Sequence, residues 1–146
     1  MIDLNNQTTL KCDLEALEKI AQTLTSRDIE LIITDEETMK SLNSEHRGKA
    51  CSTDVLSFPL ETVFTEQILF DIPLGSIVIS APFVRQKADE LGHSIQDELS
   101  LLFIHGLLHL LGFDHERDDG EMRLKEKELI EMFDLPKSLI IRTKES

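Results

Sequence analysis

The segment LSLLFIHGLLHLLGFDH, residues 99–115, decides the fold of this chain. It predicts a helix that is apolar around nearly its whole circumference, and such a helix must lie at the centre of a fold, covered on several sides. The polar side chains in its last three turns belong to Ser100, His105 and His109. Two histidines four residues apart project from the same face of a helix, one turn above the other.

A third histidine completes this pattern. Gly112 can end the helix in a left-handed conformation, so that the chain reverses and returns His115 toward the first two histidines. Three protein ligands leave the fourth position of a tetrahedral zinc ion open, as in catalytic sites. We therefore predict that His105, His109 and His115 bind one Zn²⁺ ion, although nickel, copper or iron would also accept three imidazoles. Each ligand is expected to donate its other ring N–H to a carbonyl or a carboxylate.

Length and charge limit the class of protein. The 146 residues suffice for one domain with its own core and are too few for two, so we predict a single domain over residues 1–146. The net charge of −13 argues against broad, nonspecific binding to nucleic acid, and any such contact must be local. No apolar run is long enough to span a bilayer, and the first residues lack the features of a signal peptide. We expect a cytoplasmic protein that does not associate with membranes.

The remaining sequence predicts a small mixed β-sheet packed by about five helices, an α/β or α+β fold. Helices are predicted over residues 13–26, from Asp35 toward Asn43, and over 80–92, 94–111 and 119–133. Strands are predicted over residues 1–5, 29–34 and 55–60, with shorter candidates at 68–70 and 77–79. Asp13, Ser80 and Ser94 are predicted N-caps, because such side chains accept hydrogen bonds from the unpaired N–H groups of a first helical turn.

The histidine spacing is also that of the metzincin proteases, H-E-x-x-H-x-x-G-x-x-H, so the metal helix is zincin-like. One departure matters, because Gly106 stands where those enzymes carry the glutamate that acts as general base. A peptidase mechanism requires that carboxylate beside the metal-bound water. A metalloprotease-like hydrolase of peptides or small molecules is therefore the alternative rather than the main hypothesis.

A second segment adds positive charge. Residues 45–49, with the sequence EHRGK, form a basic loop before the strand at 55–60, in a chain with 28 acidic and 15 basic residues. Beside a metal ion these groups suit a phosphodiester, since arginine binds two phosphate oxygens at once and lysine acts as a point charge. The alternative is a solvated loop without a role. Arg47 and Lys49 are the candidates for phosphate binding and catalysis.

Taken together, the two segments resemble the YbeY family of bacterial metal-dependent endoribonucleases. Four motifs carry the resemblance in the order and spacing of the family: HGLLHLLGFDH at 105–115, RGK at 47–49, TDVLSFP at 53–59 and LGSIVIS at 74–80. The resemblance implies zinc bound by His105, His109 and His115, and an active-site arginine at Arg47. It also implies single-stranded RNA as substrate, especially the 3′ end of small-subunit 16S rRNA, in rRNA maturation and ribosome quality control. The implied partners are proteins of the small ribosomal subunit and a ribosome-assembly GTPase.

The expected mechanism leaves the nucleophile open. Zinc would polarise a phosphate oxygen or lower the pKa of a bound water, while Arg47 and Lys49 hold the phosphodiester and offset developing charge. The nucleophile is either the resulting hydroxide or the 2′-hydroxyl of the RNA. Members of the family usually carry aspartate at the position of Ser76, and a hydroxyl is a poor base near neutral pH. No carboxylate base is therefore assigned at that position.

A third hypothesis is a non-catalytic ribosome assembly factor in which zinc is structural. A fourth protein ligand, for instance Cys51, would favour it, because structural zinc sites are closed. Otherwise we expect Cys12 and Cys51 to be ordinary reduced thiols. We interpret His93, beside Gly92 in a predicted turn, as a surface residue.

Overall fold

The computed structural model describes residues 1–47, 55–59, 73–113 and 118–135, with side chains for all of these except His46 and Arg47. This part of the chain forms four strands and five helices. The strands are β1 Ile2–Asn6, β2 Ile29–Thr34, β3 Val55–Pro59 and β4 Gly75–Ser80, and the helices are α1 Leu14–Gln22, α2 Glu36–Arg47, α3 Ala81–Leu91, α4 Ile95–Leu110 and α5 Glu121–Met132.

The four strands form one sheet in the order β1-β2-β4-β3. Strands β1, β2 and β4 are parallel, with Leu31 opposite Leu4 on one side and opposite Ile77 on the other. Strand β3 runs antiparallel to β4 at the edge, with Leu56 opposite Val78. The predicted mixed sheet and α/β fold are confirmed.

Alternating side chains of the strands pack against helices on both faces of the sheet. On one face, Ile77 and Ile79 belong to the main hydrophobic core, together with buried residues of α1, α3, α4 and α5. On the other face, Val78 and Leu56 pack against Met39 of α2. Because neighbouring residues of a strand point to opposite faces, α2 and α4 lie on opposite sides of the sheet.

Helix α4 is the central helix that its apolar sequence predicts. Eleven of its sixteen residues are buried, including Phe103, Ile104 and Leu107, which are fully inaccessible. Burial of a large apolar side chain contributes roughly 1.5–3 kcal/mol, so this helix supplies a large share of the core. Within the described residues, no helix combines the length and apolar character needed to cross a bilayer.

The predicted caps of α1, α3 and α4 are all present. The side chains of Asp13, Ser80 and Ser94 accept hydrogen bonds from N–H groups in the first turns of α1, α3 and α4. Gly92 ends α3 in a left-handed conformation with φ +71°. Cap geometry was predictable because a cap depends on residues within one turn of each other.

Two helix ends differ from the prediction. Helix α1 ends at Gln22 rather than at residue 26, because the Thr23 hydroxyl donates to the Ile20 carbonyl and so competes with the next helical hydrogen bond. Helix α2 continues past the predicted end at Asn43 to Arg47. The strand candidate at 68–70 lies outside the described residues. The assignment of residues 136–146 to the same domain stays a prediction for the same reason.

Candidate metal centre

His105 and His109 lie on one face of the last two turns of α4. Their Nε2 atoms are 3.2 Å apart. The ring centroids are 4.8 Å apart and the ring planes stand nearly perpendicular, at 77°. The central apolar helix thus holds two imidazoles with their Nε2 atoms converging on one point.

This arrangement fits a metal ion such as zinc. Two nitrogens that ligate one tetrahedral zinc ion at about 2.0–2.1 Å lie about 3.3 Å from each other. The observed separation of 3.2 Å is close to that value. In the described part of the chain no third metal-ligating side chain joins the pair into a cluster of three. The third predicted ligand, His115, lies outside that part, so its role stays a prediction.

The end of α4 has the geometry that the sequence predicts. Gly112 adopts φ +100°, a conformation that side chains other than glycine rarely adopt. The N–H of Phe113 donates to the Leu108 carbonyl at 3.0 Å, and the N–H of Gly112 donates to the His109 carbonyl. These hydrogen bonds are those of a left-handed helix end, which turns the chain directly after His109.

A buried carboxylate contacts the first histidine. Oε1 of Glu126 on α5 lies 2.7 Å from Nδ1 of His105, and the Glu126 side chain is 2% exposed. The contact fits the prediction that each metal-binding histidine donates its other ring N–H to a carbonyl or a carboxylate. Sequence reasoning missed Glu126, although a signal was present. Glu126 lies four residues after Met122 and four before Ile130, on the apolar face predicted for this helix.

Gly106 faces the sheet rather than the histidine pair. A Cβ atom at this position would lie 2.8 Å from Cγ2 of Ile77 on β4 and 3.4 Å from Cγ2 of Val55 on β3. Glycine therefore allows α4 to approach the two strands closely. A glutamate at position 106 would be directed into the core, so the metzincin-like spacing does not bring the metzincin general base to this site.

Arg47 is the last residue of α2, while Lys49 lies outside the described residues. The chain that carries both residues enters β3 at Val55. Val55 in turn lies against α4 at Gly106, directly after His105. Both basic residues remain predictions, and so does the role of Cys51, which lies outside the described residues as well.

Ser76 lies away from the histidine pair. Its neighbour Ile77 points toward α4, so Ser76 points to the opposite face of the sheet. There its hydroxyl donates to Oε1 of Glu30 at 2.7 Å. Ser76 and Glu30 both line a cavity of about 470 Å³. The replacement of the usual aspartate by Ser76 therefore removes no group from beside His105 and His109.

His93 is buried, which contradicts its interpretation as a surface residue. Its side chain is 2% exposed, and Nε2 lies 3.5 Å from Oε1 of Glu98, whose side chain is fully buried. A buried carboxylate requires a polar partner, and the turn after α3 supplies one by folding His93 against the first turn of α4. A short sequence window cannot show this packing.

Cys12 is a free thiol, as expected. Burial, and to a lesser extent the neighbouring Asp13 carboxylate, raise the pKa of Cys12 to about 11. The thiol is therefore protonated near neutral pH and is neither a nucleophile nor a ready metal ligand.

Comparison with known proteins gives one consistent result. The sequence profile described as Endoribonuclease YbeY matches residues 2–134. An Endoribonuclease YbeY from a Sulfurovum species is 70% identical over 142 residues, covering 97% of each chain. The protein of the same name from Nautilia profundicola is 53% identical over 145 residues, covering 99% of this chain and 100% of that one. One from Campylobacter jejuni is 56% identical over 135 residues, covering 92% and 95%.

A solved structure shares the fold. The solution structure of a protein from Thermotoga maritima superposes with a TM-score of 0.59 at 28% identity, covering 91% of this chain and 89% of that chain. The similarity therefore extends from the sequence to the arrangement of strands and helices.

Proposed function

Because this chain belongs to the endoribonuclease YbeY family, we propose that it is a metal-dependent endoribonuclease that cleaves single-stranded RNA at the site of His105 and His109. One observation carries the location of the site. Two Nε2 atoms converge to 3.2 Å at the end of a buried helix, in the geometry that one metal ion requires.

Three histidines would hold the metal ion, namely His105, His109 and His115, with Zn²⁺ as the proposed ion. When bound, such an ion stabilises negative charge on a phosphate oxygen and lowers the pKa of water. Helix α4 fixes the first two ligands before any ion binds, since its core packing leaves little freedom to the backbone. The left-handed turn at Gly112 comes shortly after His109, and His115 follows it in the sequence as the proposed third ligand.

Arg47 and Lys49 are the proposed phosphate-binding residues. The guanidinium of Arg47 would bind two oxygens of the scissile phosphodiester, and the Lys49 ammonium would add positive charge. Support comes from Val55, which follows these two residues in the sequence and contacts α4 beside His105. The residues leave two nucleophiles possible for the reaction, water or the 2′-hydroxyl of the substrate.

The peptidase alternative loses support from the packing of Gly106. Peptide hydrolysis at such a centre needs a carboxylate on the residue after the first histidine. Here that position is filled by the side chains of Ile77 and Val55. A carboxylate side chain at position 106 would have to displace these two side chains.

The proposed substrate is ribosomal RNA, at the 3′ end of the small-subunit 16S rRNA, in rRNA maturation and ribosome quality control. Proteins of the small ribosomal subunit and a ribosome-assembly GTPase are the proposed partners. A nuclease with this substrate works where ribosomes are assembled, so we propose that the protein acts in the cytoplasm.

Two variants test the proposed site. Arg47→Glu is expected to bind one equivalent of zinc and to cleave a single-stranded RNA oligonucleotide about 10²–10³-fold more slowly, because the charge that holds the phosphate is reversed. His109→Ala is expected to lose both zinc and cleavage. Metal content measured on the purified proteins and a chelator-reversible RNA cleavage assay give the two readouts.

Arg85→Glu serves as the matched control. Arg85 is exposed on α3 and donates to the Thr9 hydroxyl, so the same charge reversal there should leave cleavage unchanged. Wild-type cleavage rates from zinc-free His109→Ala protein would refute the metal mechanism. Stoichiometric zinc without any RNA cleavage by the wild-type protein would instead favour the non-catalytic assembly factor.

A further inference from the structure

Helix α5 contacts α4 at the histidine pair through Glu126, a side chain that is not itself a proposed metal ligand. We propose that Glu126 is a positioning residue, which holds His105 in the tautomer and ring orientation that metal binding requires. The inference rests on the proposed metal site and deepens it. It assigns a role to a side chain that does not itself bind the ion.

The contact is short and buried. Oε1 of Glu126 lies 2.7 Å from Nδ1 of His105, a distance typical of a hydrogen bond to a charged oxygen. Glu126 is 2% exposed and His105 is 17% exposed at the side chain. Because a carboxylate offers only acceptor oxygens, this contact favours the tautomer of His105 in which Nδ1 is the donor.

This proton placement determines what the other nitrogen can do. A neutral imidazole has one N–H and one lone pair, so a proton on Nδ1 leaves the lone pair on Nε2. Nε2 of His105 is the atom that faces Nε2 of His109 at 3.2 Å. Glu126 therefore selects the tautomer whose lone pair points into the candidate metal site.

The position of Glu126 on α5 indicates that this residue has a role other than stabilising the fold. Its neighbours on the same helix face, Met122, Leu129 and Ile130, are buried apolar residues. Burying a carboxylate among them is unfavourable unless a partner compensates, and an apolar side chain of similar size is often as stable or more stable at such a site. Helix α5 thus carries a costly group where it touches a candidate ligand.

The substitution Glu126→Leu tests the proposal without RNA. It removes the acceptor and keeps the bulk, so the variant should fold and bind Zn²⁺ about 10–100-fold more weakly than the wild type. Glu126→Gln keeps an oxygen acceptor without the charge and should fall between the two. Zinc affinity is measured by competition with a chromophoric chelator, and unfolding of the metal-free proteins in urea reports their stability.

A spectroscopic readout separates positioning from a structural role. In metal-free wild-type protein, ¹⁵N NMR of the His105 ring should show the proton on Nδ1, and in Glu126→Leu that preference should be lost. Glu128→Gln, the matched control for Glu126→Gln at an exposed position of α5, should change neither zinc affinity nor the tautomer.

Wild-type zinc affinity in a folded Glu126→Leu protein would overturn the proposal, and so would an unchanged His105 tautomer. If Glu126→Leu does not fold, Glu126→Gln decides by its zinc affinity, and wild-type affinity in that variant would overturn the proposal. Failure of the wild-type protein to cleave RNA would overturn the proposed function but would leave these zinc and tautomer results intact.

Discussion

At the scale of one residue, Gly106 shows how core packing leaves no room for the glutamate that metzincin proteases carry at this position. It follows the first histidine of the candidate site, and its missing side chain lets α4 lie against β3 and β4. The same glycine explains why the spacing of a protease helix does not bring the protease general base to this site. A side chain at this position belongs to the core and not to the metal centre.

Replacement of Gly106 by alanine should destabilise the protein. Alanine favours a helix interior over glycine by about 1 kcal/mol, but its Cβ would lie 2.8 Å from Cγ2 of Ile77, which is fully buried and β-branched. Overpacking of this kind costs typically about 1–3 kcal/mol. We expect a net loss of about 1 kcal/mol in the free energy of unfolding, measured by urea titration of the metal-free protein.

A second substitution tests whether the close contact between a Cβ at position 106 and Ile77 causes this loss of stability. In an Ile77→Ala background the colliding methyl group is gone, so Gly106→Ala should cost less there, and the double-mutant cycle should give a favourable coupling between the two changes. Equal costs in both backgrounds would show that the contact with Ile77 is not what requires glycine.

At the scale of an element, helix α2 shows how a cap at one end stabilises the helix that carries Arg47 at the other end. The carboxylate of Asp35 accepts a hydrogen bond from the Thr38 N–H at 2.7 Å, before the first turn of α2. The hydrogen bonds from the Thr38 backbone and then from its side chain hold the pKa of Asp35 below its ordinary value of 3.8. The helix that begins there ends at Arg47, the proposed phosphate-binding residue.

Loss of this cap should lower stability in a pH-dependent way. Because the folded-state pKa is depressed, the contribution of Asp35 is present above its unfolded pKa and disappears as pH falls below about 3.8. Asp35→Ala should therefore lower the thermal midpoint by a few degrees at pH 7 and by progressively less below pH 4. Asp35→Asn keeps an acceptor oxygen and should remain closer to the wild type at pH 7. A constant difference between wild type and Asp35→Ala from pH 7 to pH 3 would contradict this account.

Sequence predicts these elements to the extent that the interactions are local. The caps at Ser80 and Ser94, the left-handed Gly112 and the shared face of His105 and His109 all depend on residues within one or two helical turns. The contact of Glu126 with His105 joins residues 21 positions apart, and it depends on how α5 packs against α4. A single sequence gives only the hint of a carboxylate on an apolar helix face.

At the scale of the whole molecule, the sheet likewise has some features that local sequence predicts and others that it does not. Its mixed character and the central place of α4 follow from hydrophobic patterns, but the order β1-β2-β4-β3 depends on pairings between distant segments. The net charge of −13 is a property of the whole chain that does follow from sequence. It argues against RNA binding over a broad basic surface, in agreement with the small basic site proposed at Arg47 and Lys49.

RNA binding should therefore depend only weakly on salt. For single strands, each neutralised phosphate contributes about −0.7 to the slope of log K against log salt concentration, so contacts from Arg47 and Lys49 alone give a slope of about −1.4. Removing either charge, in Arg47→Ala or Lys49→Ala, should bring the slope to about −0.7. Fluorescence anisotropy with metal-free protein and a 2′-O-methylated strand measures binding without cleavage.

Lys19→Ala is the matched control for this experiment. Lys19 is exposed on α1 and lies near Glu15, so its removal should leave the slope unchanged. A wild-type slope steeper than about −4 would mean that six or more phosphates are neutralised, which contradicts a local site. An unchanged slope in both Arg47→Ala and Lys49→Ala would show that other basic residues of the chain neutralise the phosphates, which contradicts a site at Arg47 and Lys49.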